Sequence, residues 1–130
     1  MGNLIIAYSI HAAIASRLFD KVMVSTDCED IVAISKEYDA SMPFMRSSKT
    51  SDDFSTTADV LFEVLDNYSN QGKTFLWICC IYPTAPFVTA EKLRAAFDSL
   101  RKNDADALLP VVPFSYPPLR GLEINSNFYR

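Results

Sequence analysis

Phe75-Leu76-Trp77-Ile78-Cys79-Cys80-Ile81-Tyr82-Pro83-Thr84-Ala85-Pro86-Phe87 is the stretch on which the fold reading turns. Its first six residues are continuously apolar rather than alternating. That pattern predicts a strand buried on both faces, in the middle of a parallel α/β sheet. Successive side chains of a strand point to opposite faces, so Cys79 and Cys80 read as inert core residues on either side. Two prolines then bracket Thr84-Ala85. Each fixes its own φ and pushes the preceding residue out of the helical region. The expectation is a stiff loop at the carboxyl end of a central strand, where open α/β sheets place their ligands.

Working outward, Ile6, Ile10, Ile14 and Leu18 recur every four residues and mark one face of a first helix, which has no Ser, Thr or Asp cap. Residues 21–25 read as a short strand. Thr26-Asp27 is placed to cap a second helix, with Glu29 and Asp30 at its positive end and Ile31, Ile34 and Tyr38 inward. Residues 41–46 read as extended, Pro43 favouring an edge, and 47–54 as a polar loop. Thr56 with Asp59 has capping-box spacing for a third helix, whose buried stripe is Val60, Leu61, Val64, Leu65 and Tyr68. Asn70-Gln71-Gly72 ends it. A fourth helix is expected over about 89–102, with Leu93, Phe97 and Leu100 inward, and Asn103-Asp104 turns into a strand over 107–112 that Pro110 interrupts. Strands alternating with helices of this length imply right-handed βαβ units and a parallel sheet with helices on both faces.

Composition bounds the class. A chain of 130 residues with 49% hydrophobic and 22% charged residues suits one soluble globular domain with a core of its own. A net charge of −4 argues against a nucleic-acid surface. The longest apolar run, 75–82, is too short to span a bilayer, and the start of the chain does not read as an export signal. The three cysteines, Cys28, Cys79 and Cys80, lack metal or disulfide-framework spacing. They read as reduced thiols in a cytoplasmic protein.

The strand followed by Tyr82-Pro83-Thr84-Ala85-Pro86-Phe87 resembles the sugar-acid cytidylyltransferases, and most closely their branch that activates pseudaminic acid. Four further blocks are similar to that family, in order: 5–10, 22–27, 43–46 followed by 51–54, and 113–117. The resemblance implies a Rossmann-like, three-layer parallel sheet of the nucleotide-diphospho-sugar transferase type. That fold would be incomplete, with the first strand and the C-terminal part missing. The family's glycine-rich basic loop, which holds the triphosphate, has no counterpart before Leu4, and its acidic metal ligands and dimerisation segment lie beyond Arg130. Residues 1–130 are therefore expected to be a single partial domain, truncated at both ends, with an exposed apolar seam and no turnover by itself.

The implied reaction is transfer of CMP from CTP to a nonulosonic sugar acid, with pseudaminic acid the first acceptor and sialic acid the alternative. A non-catalytic truncated module is the competing reading from another class. The implied cofactor is Mg²⁺, with ligands outside this chain. The implied partners are CTP and the sugar acid, with homodimers in the family and neither nucleic acid nor membrane. Arg46 matches the family position that contacts the nucleotide, and a guanidinium suits bidentate recognition; the bland reading is an exposed strand-end arginine. Thr56 and Thr57 either hold the nucleotide at a helix N-terminus or cap the helix. Asp27 binds ribose or caps. Tyr82 stands where sialic acid enzymes carry glutamine; it faces the sugar or packs under its loop. Thr84, with Phe87, is a weaker companion, and Arg120 is a candidate for the sugar carboxylate. Asp52 and Asp53 read as a solvated loop rather than metal ligands, and His11 as a helix-surface residue.

Overall fold

Helices form wherever the local code is complete. The structure, a computed structural model, describes residues 4–113. It contains α1 (Ile5–Ser16), α2 (Glu29–Glu37), a short 3-10 helix (Ser48–Thr50), α3 (Thr57–Asn70) and α4 (Ala90–Lys102). The Thr56 side chain accepts the Asp59 amide, and the Asp59 carboxylate accepts the Thr56 amide, closing the anticipated capping box of α3. Thr89 does the same work for α4 by accepting the Lys92 amide at 3.2 Å. At α2 the expected cap is not made: Cys28 is the N-cap residue, without a side-chain cap bond, and Thr26 Oγ1 instead accepts the Cys28 amide at 3.1 Å. Glu29 and Asp30 lie in its first turn, favourably placed for the helix dipole.

Three helices end the same way. In α3, Lys73 N–H donates to Tyr68 O and Gly72 N–H to Ser69 O, with Gly72 at φ +73. This is a Schellman stop, whose penultimate residue must be left-handed. Residues Asp39 (φ 64) and Asp104 (φ 47) take the equivalent places after α2 and α4, with the same pairs of bonds.

Packing gathers the helices into two knots. In one, α1 lies against α4 and α2. Its buried residues are small, Ala7, Ser9, Ala12, Ala13 and Ser16, together with Ile10, whereas Ile14 is exposed. The four-residue isoleucine stripe therefore does not describe the buried face; alanines and serines let the neighbouring helices approach closely. Arg94 of α4 reaches back to the C-terminal carbonyls of α1, at 3.3 Å from Ala15 O and 3.4 Å from Ser16 O. The second knot centres on Tyr68, 3% exposed. Phe44 and Phe75 meet its ring edge-on at 5.2 and 5.0 Å.

The parallel sheet is not found. Among the described residues no strand forms, and the β-pairing is confined to one isolated parallel bridge, Met23 to Ser41. Ser41 N–H donates to Val22 O at 2.8 Å and Arg46 N–H to Thr26 O at 2.9 Å, so 21–26 and 41–46 run alongside without completing a ladder. The Rossmann-like, three-layer arrangement is corrected accordingly. The reason is that a strand is completed by neighbours rather than by its own residues. Segment 74–81 makes no backbone hydrogen bond to another described residue. It is not buried on both faces either: Leu76 is 89% exposed, Trp77 and Ile78 are exposed, and so are Cys79 and Cys80, which are free thiols rather than core residues. Residues 107–112, expected as a strand, also lie open, with Leu109, Val111 and Val112 over four-fifths exposed. No described helix is long and apolar enough to cross a membrane.

Candidate functional site

The polar side of α3 collects most of the residues of interest. Its N-terminal turn carries Thr57, whose hydroxyl lies 2.8 Å from the phenolic oxygen of Tyr82, 25 positions later in the chain. Tyr82 is pinned twice: its carbonyl accepts the Ser9 hydroxyl of α1 at 3.0 Å, and the Ala85 amide at 3.2 Å closes a turn across Pro83-Thr84. The Pro-bracketed loop is thus a tight turn tied to two helices. Tyr82 is exposed and does not pack beneath it. Thr84 and Phe87 are exposed as well.

Arg46 is half-buried, not a free strand-end side chain. Its Nε donates to Ser25 Oγ at 3.1 Å and its Nη2 to the Ser25 carbonyl. The Nε–Nη2 edge of the guanidinium is therefore spent on orientation, leaving the Nη1–Nη2 end, with the second Nη2 hydrogen, for a further acceptor. Immediately after it, the Ser47 amide and hydroxyl donate to the Glu63 carboxylate at 2.7 and 2.9 Å, and the Thr50 hydroxyl donates to the same group. Hydrogen bonds from Thr50 and Ser47, reinforced by the Arg46 charge, hold the Glu63 carboxyl below its ordinary value. Thr57 and Glu63 are six residues apart on one helix, about 9 Å of rise.

Thr56 is fully committed to the capping box, its amide and hydroxyl both on Asp59 Oδ2 at 2.8 and 2.6 Å. Asp52 accepts the Phe54 amide and both the amide and hydroxyl of Ser55. These bonds lower the pKa of Asp59 and Asp52 alike. Asp52 is thus a turn former on the surface, matching its reading as a solvated loop residue. Asp27 is exposed and makes no cap bond. Arg120 lies outside the described residues, as does most of the 113–117 block. Beside α3 opens a groove of about 610 Å³, with Phe44, Phe54 and Phe62 on its apolar wall and Lys49, Asp66 and Asn67 among its polar lining.

Among the described residues no group of three or more His, Cys, Asp or Glu converges as a metal ligand set. The nearest acidic groups, Asp52, Asp59 and Glu63, already accept two or three protein hydrogen bonds each. The described residues do not fit a divalent ion.

Sequence reasoning missed Ser9, Ser25 and Glu63. Glu63 had a weak signal: Asp59, Glu63 and Asp66 follow helical spacing on one face of α3. Ser9 and Ser25 had none, because their partners are distant in sequence.

A family profile described as Cytidylyltransferase matches residues 1–121. The pseudaminic acid cytidylyltransferase of Campylobacter jejuni is 32% identical over 127 residues, covering 98% of this chain and 55% of that protein. The CMP-N,N'-diacetyllegionaminic acid synthase of Legionella pneumophila is 29% identical over 131 residues, covering 99% of this chain and 56% of that protein. The N-acylneuraminate cytidylyltransferase A of Danio rerio is 32% identical over 111 residues, 85% of this chain and 25% of that protein. The chain spans about half the length of these two bacterial relatives.

Proposed function

This chain belongs to the cytidylyltransferase family, and on that premise we propose that it serves the transfer of CMP from CTP to a nonulosonic sugar acid, with pseudaminic acid the acceptor. A sugar hydroxyl attacks the α-phosphorus of CTP, the new O–P bond replaces the bond to pyrophosphate, and the hydroxyl proton is lost. Such chemistry depends on in-line positioning and on hydrogen-bond donors aimed at the phosphates more than on a covalent catalyst.

The observation that carries the reading is the bond between Thr57 and Tyr82. It joins the opening turn of α3, the candidate nucleotide side, to the Pro-bracketed loop, the candidate sugar side. Because Thr56 is committed to its capping box, the nucleotide-side hydroxyl in this reading is Thr57. Arg46 contributes its remaining guanidinium edge to phosphate or cytosine, and Tyr82 with Thr84 meets the sugar. Asp27, exposed and uncommitted, is left as a ribose contact. Magnesium would have to be held by groups other than the carboxylates described above.

Calorimetric titration of CTP tests the nucleotide half. A bidentate guanidinium cannot be replaced by an ammonium. Arg46→Lys should therefore lose nearly as much CTP binding as Arg46→Ala, roughly 1.5–3 kcal/mol, the range of a charged hydrogen bond. Full rescue by lysine, or unchanged binding in both variants, refutes the assignment. For the sugar half, Tyr82→Gln should weaken binding of pseudaminic acid and leave CTP affinity nearly unchanged; an effect confined to CTP refutes it.

A further inference from the structure

We propose that Glu63 is a positioning residue for Arg46, fastening the 46–50 segment to α3 so that the guanidinium is presented from a fixed backbone. The inference rests on the reading that Arg46 contacts the nucleotide.

The arginine is held from both sides. Upstream, its amide donates to Thr26 O at 2.9 Å, and its guanidinium is oriented by Ser25. Downstream, the next residue, Ser47, gives both its amide and its hydroxyl to Glu63. Three residues on, the buried Thr50 gives its hydroxyl to the same carboxylate. Within 47–51 the local bonds are short-range: Thr50 N–H to Ser47 O at 3.2 Å, and Ser51 Oγ to Ser47 O at 2.8 Å. Those bonds shape the 3-10 turn but do not dock it. Ser55, just before the cap of α3, donates its hydroxyl to Lys49 O at 3.2 Å; the hydrogen bonds to a residue of α3 itself are those to Glu63, and a carboxylate suits the task because it accepts several donors at once while donating none. The Arg46 charge lies close enough to stabilise the Glu63 carboxylate, so orientation and charge are coupled in one unit. Glutamate at this place is thus a spacer of the right length rather than a surface decoration of the helix.

Amide hydrogen exchange and CTP titration on the same variants separate the possibilities. In Glu63→Ala, exchange at the Ser47 amide should accelerate about tenfold or more, since a charge-assisted bond is lost. The amides of α3 should keep their protection. CTP affinity should fall about tenfold by loss of the same ordering. Glu63→Gln keeps an acceptor for the Ser47 amide but offers an NH₂ where the carboxylate accepted the Ser47 and Thr50 hydroxyls, so it should fall between wild type and Glu63→Ala in both readouts. Unchanged Ser47 exchange in Glu63→Ala overturns the tether. Faster exchange with unchanged CTP affinity, while Arg46→Ala loses binding, overturns the positioning role and leaves the nucleotide reading standing. Loss of α3 protection in Glu63→Ala, with Glu63→Gln indistinguishable from wild type, also overturns it, since Glu63 would then support the helix alone. Absence of CTP binding by the wild type, or an Arg46→Ala variant that binds normally, refutes the nucleotide reading itself and with it the purpose assigned to the tether.

Discussion

Residues 46–72 and residues 74–81 are neighbours in sequence and opposites in physics. The first segment satisfies its polar groups at short range: an Asp52 turn, a capping box, the Glu63 tether and a Schellman stop follow one another without a gap. The second is the most apolar run of the chain and makes no backbone hydrogen bond to another described residue. A helix closes its own bonds, four residues apart, whereas a strand depends on whatever lies alongside it. Hydrophobicity alone therefore did not bury residues 74–81, and polarity did not leave 46–72 disordered.

The contrast breaks most visibly at Tyr68. As the buried centre of an edge-on aromatic cluster, Tyr68→Ala should cost about 3–5 kcal/mol, read from urea unfolding. Burial pushes its phenol pKa up, and the hydroxyl has no partner among the described residues. Tyr68→Phe should therefore be neutral or slightly stabilising; a large loss would place an unseen partner on that oxygen. By comparison Leu76→Ser, in the apolar run, should change stability by less than about 0.5 kcal/mol. A loss near that of Tyr68→Ala would mean that the run is buried after all.

Three smaller changes probe the local code of α3. Gly72→Ala should cost about 1–2 kcal/mol, the penalty of a left-handed non-glycine residue. No steric part is added, because an added Cβ would meet nothing within 4 Å. Thermal melting of the variant decides it, and an unchanged midpoint would place the end of the helix elsewhere. Thr56→Ala should cost about 1 kcal/mol through loss of the N-cap. Thr57→Ala should cost clearly less, since its hydroxyl bonds Tyr82 rather than the helix backbone. Equal losses would undo the division of labour between the two threonines.

Acid offers the gentlest test. Hydrogen bonds hold Asp52, Asp59 and Glu63 below their ordinary values of 3.8, 3.8 and 4.5. A carboxylate with a depressed folded pKa contributes stability that is present above its unfolded value and is lost as pH falls through the folded one. Protection of the Ser47 amide should thus be level above about pH 5 and decline below the ordinary carboxylate range. The effect on global stability should be small, because Asp52 and Asp59 are exposed and Glu63 is only half-buried, so solvent screens all three. A decline that begins near neutral pH would point to a different group.

Much of the helical framework was legible in advance. Thr56 with Asp59, Thr89, Gly72 and Asn103-Asp104 are short-range signals, and each marks a helix boundary where it was expected. The assigned helices α3 and α4 differ from their anticipated spans by a residue or so. The cluster at Tyr68 was half legible, as part of the α3 stripe, but its partners Phe44 and Phe75 were not. Of the candidate site, alongside Thr56, Asp27, Thr84 and Arg120, sequence proposed Arg46, Thr57 and Tyr82. Their fixings, Ser25, Ser9 and Glu63, lie 16 to 73 positions away from what they hold, and no local pattern marks such a pairing.

What the sequence determined alone was where α3 and α4 begin and stop, because their caps and stops are settled among residues a few positions apart. It also determined the family, because ordered motif blocks survive without any reference to packing. Which face of α1 is buried was decided only in three dimensions, where alanines and serines admit close neighbours and Ile14 is left outside. Tertiary structure likewise decided that the apolar run from Phe75 would lie open instead of forming the centre of a sheet. Strand pairing is a property of two segments at once, and no residue within one of them can supply the other's hydrogen bonds.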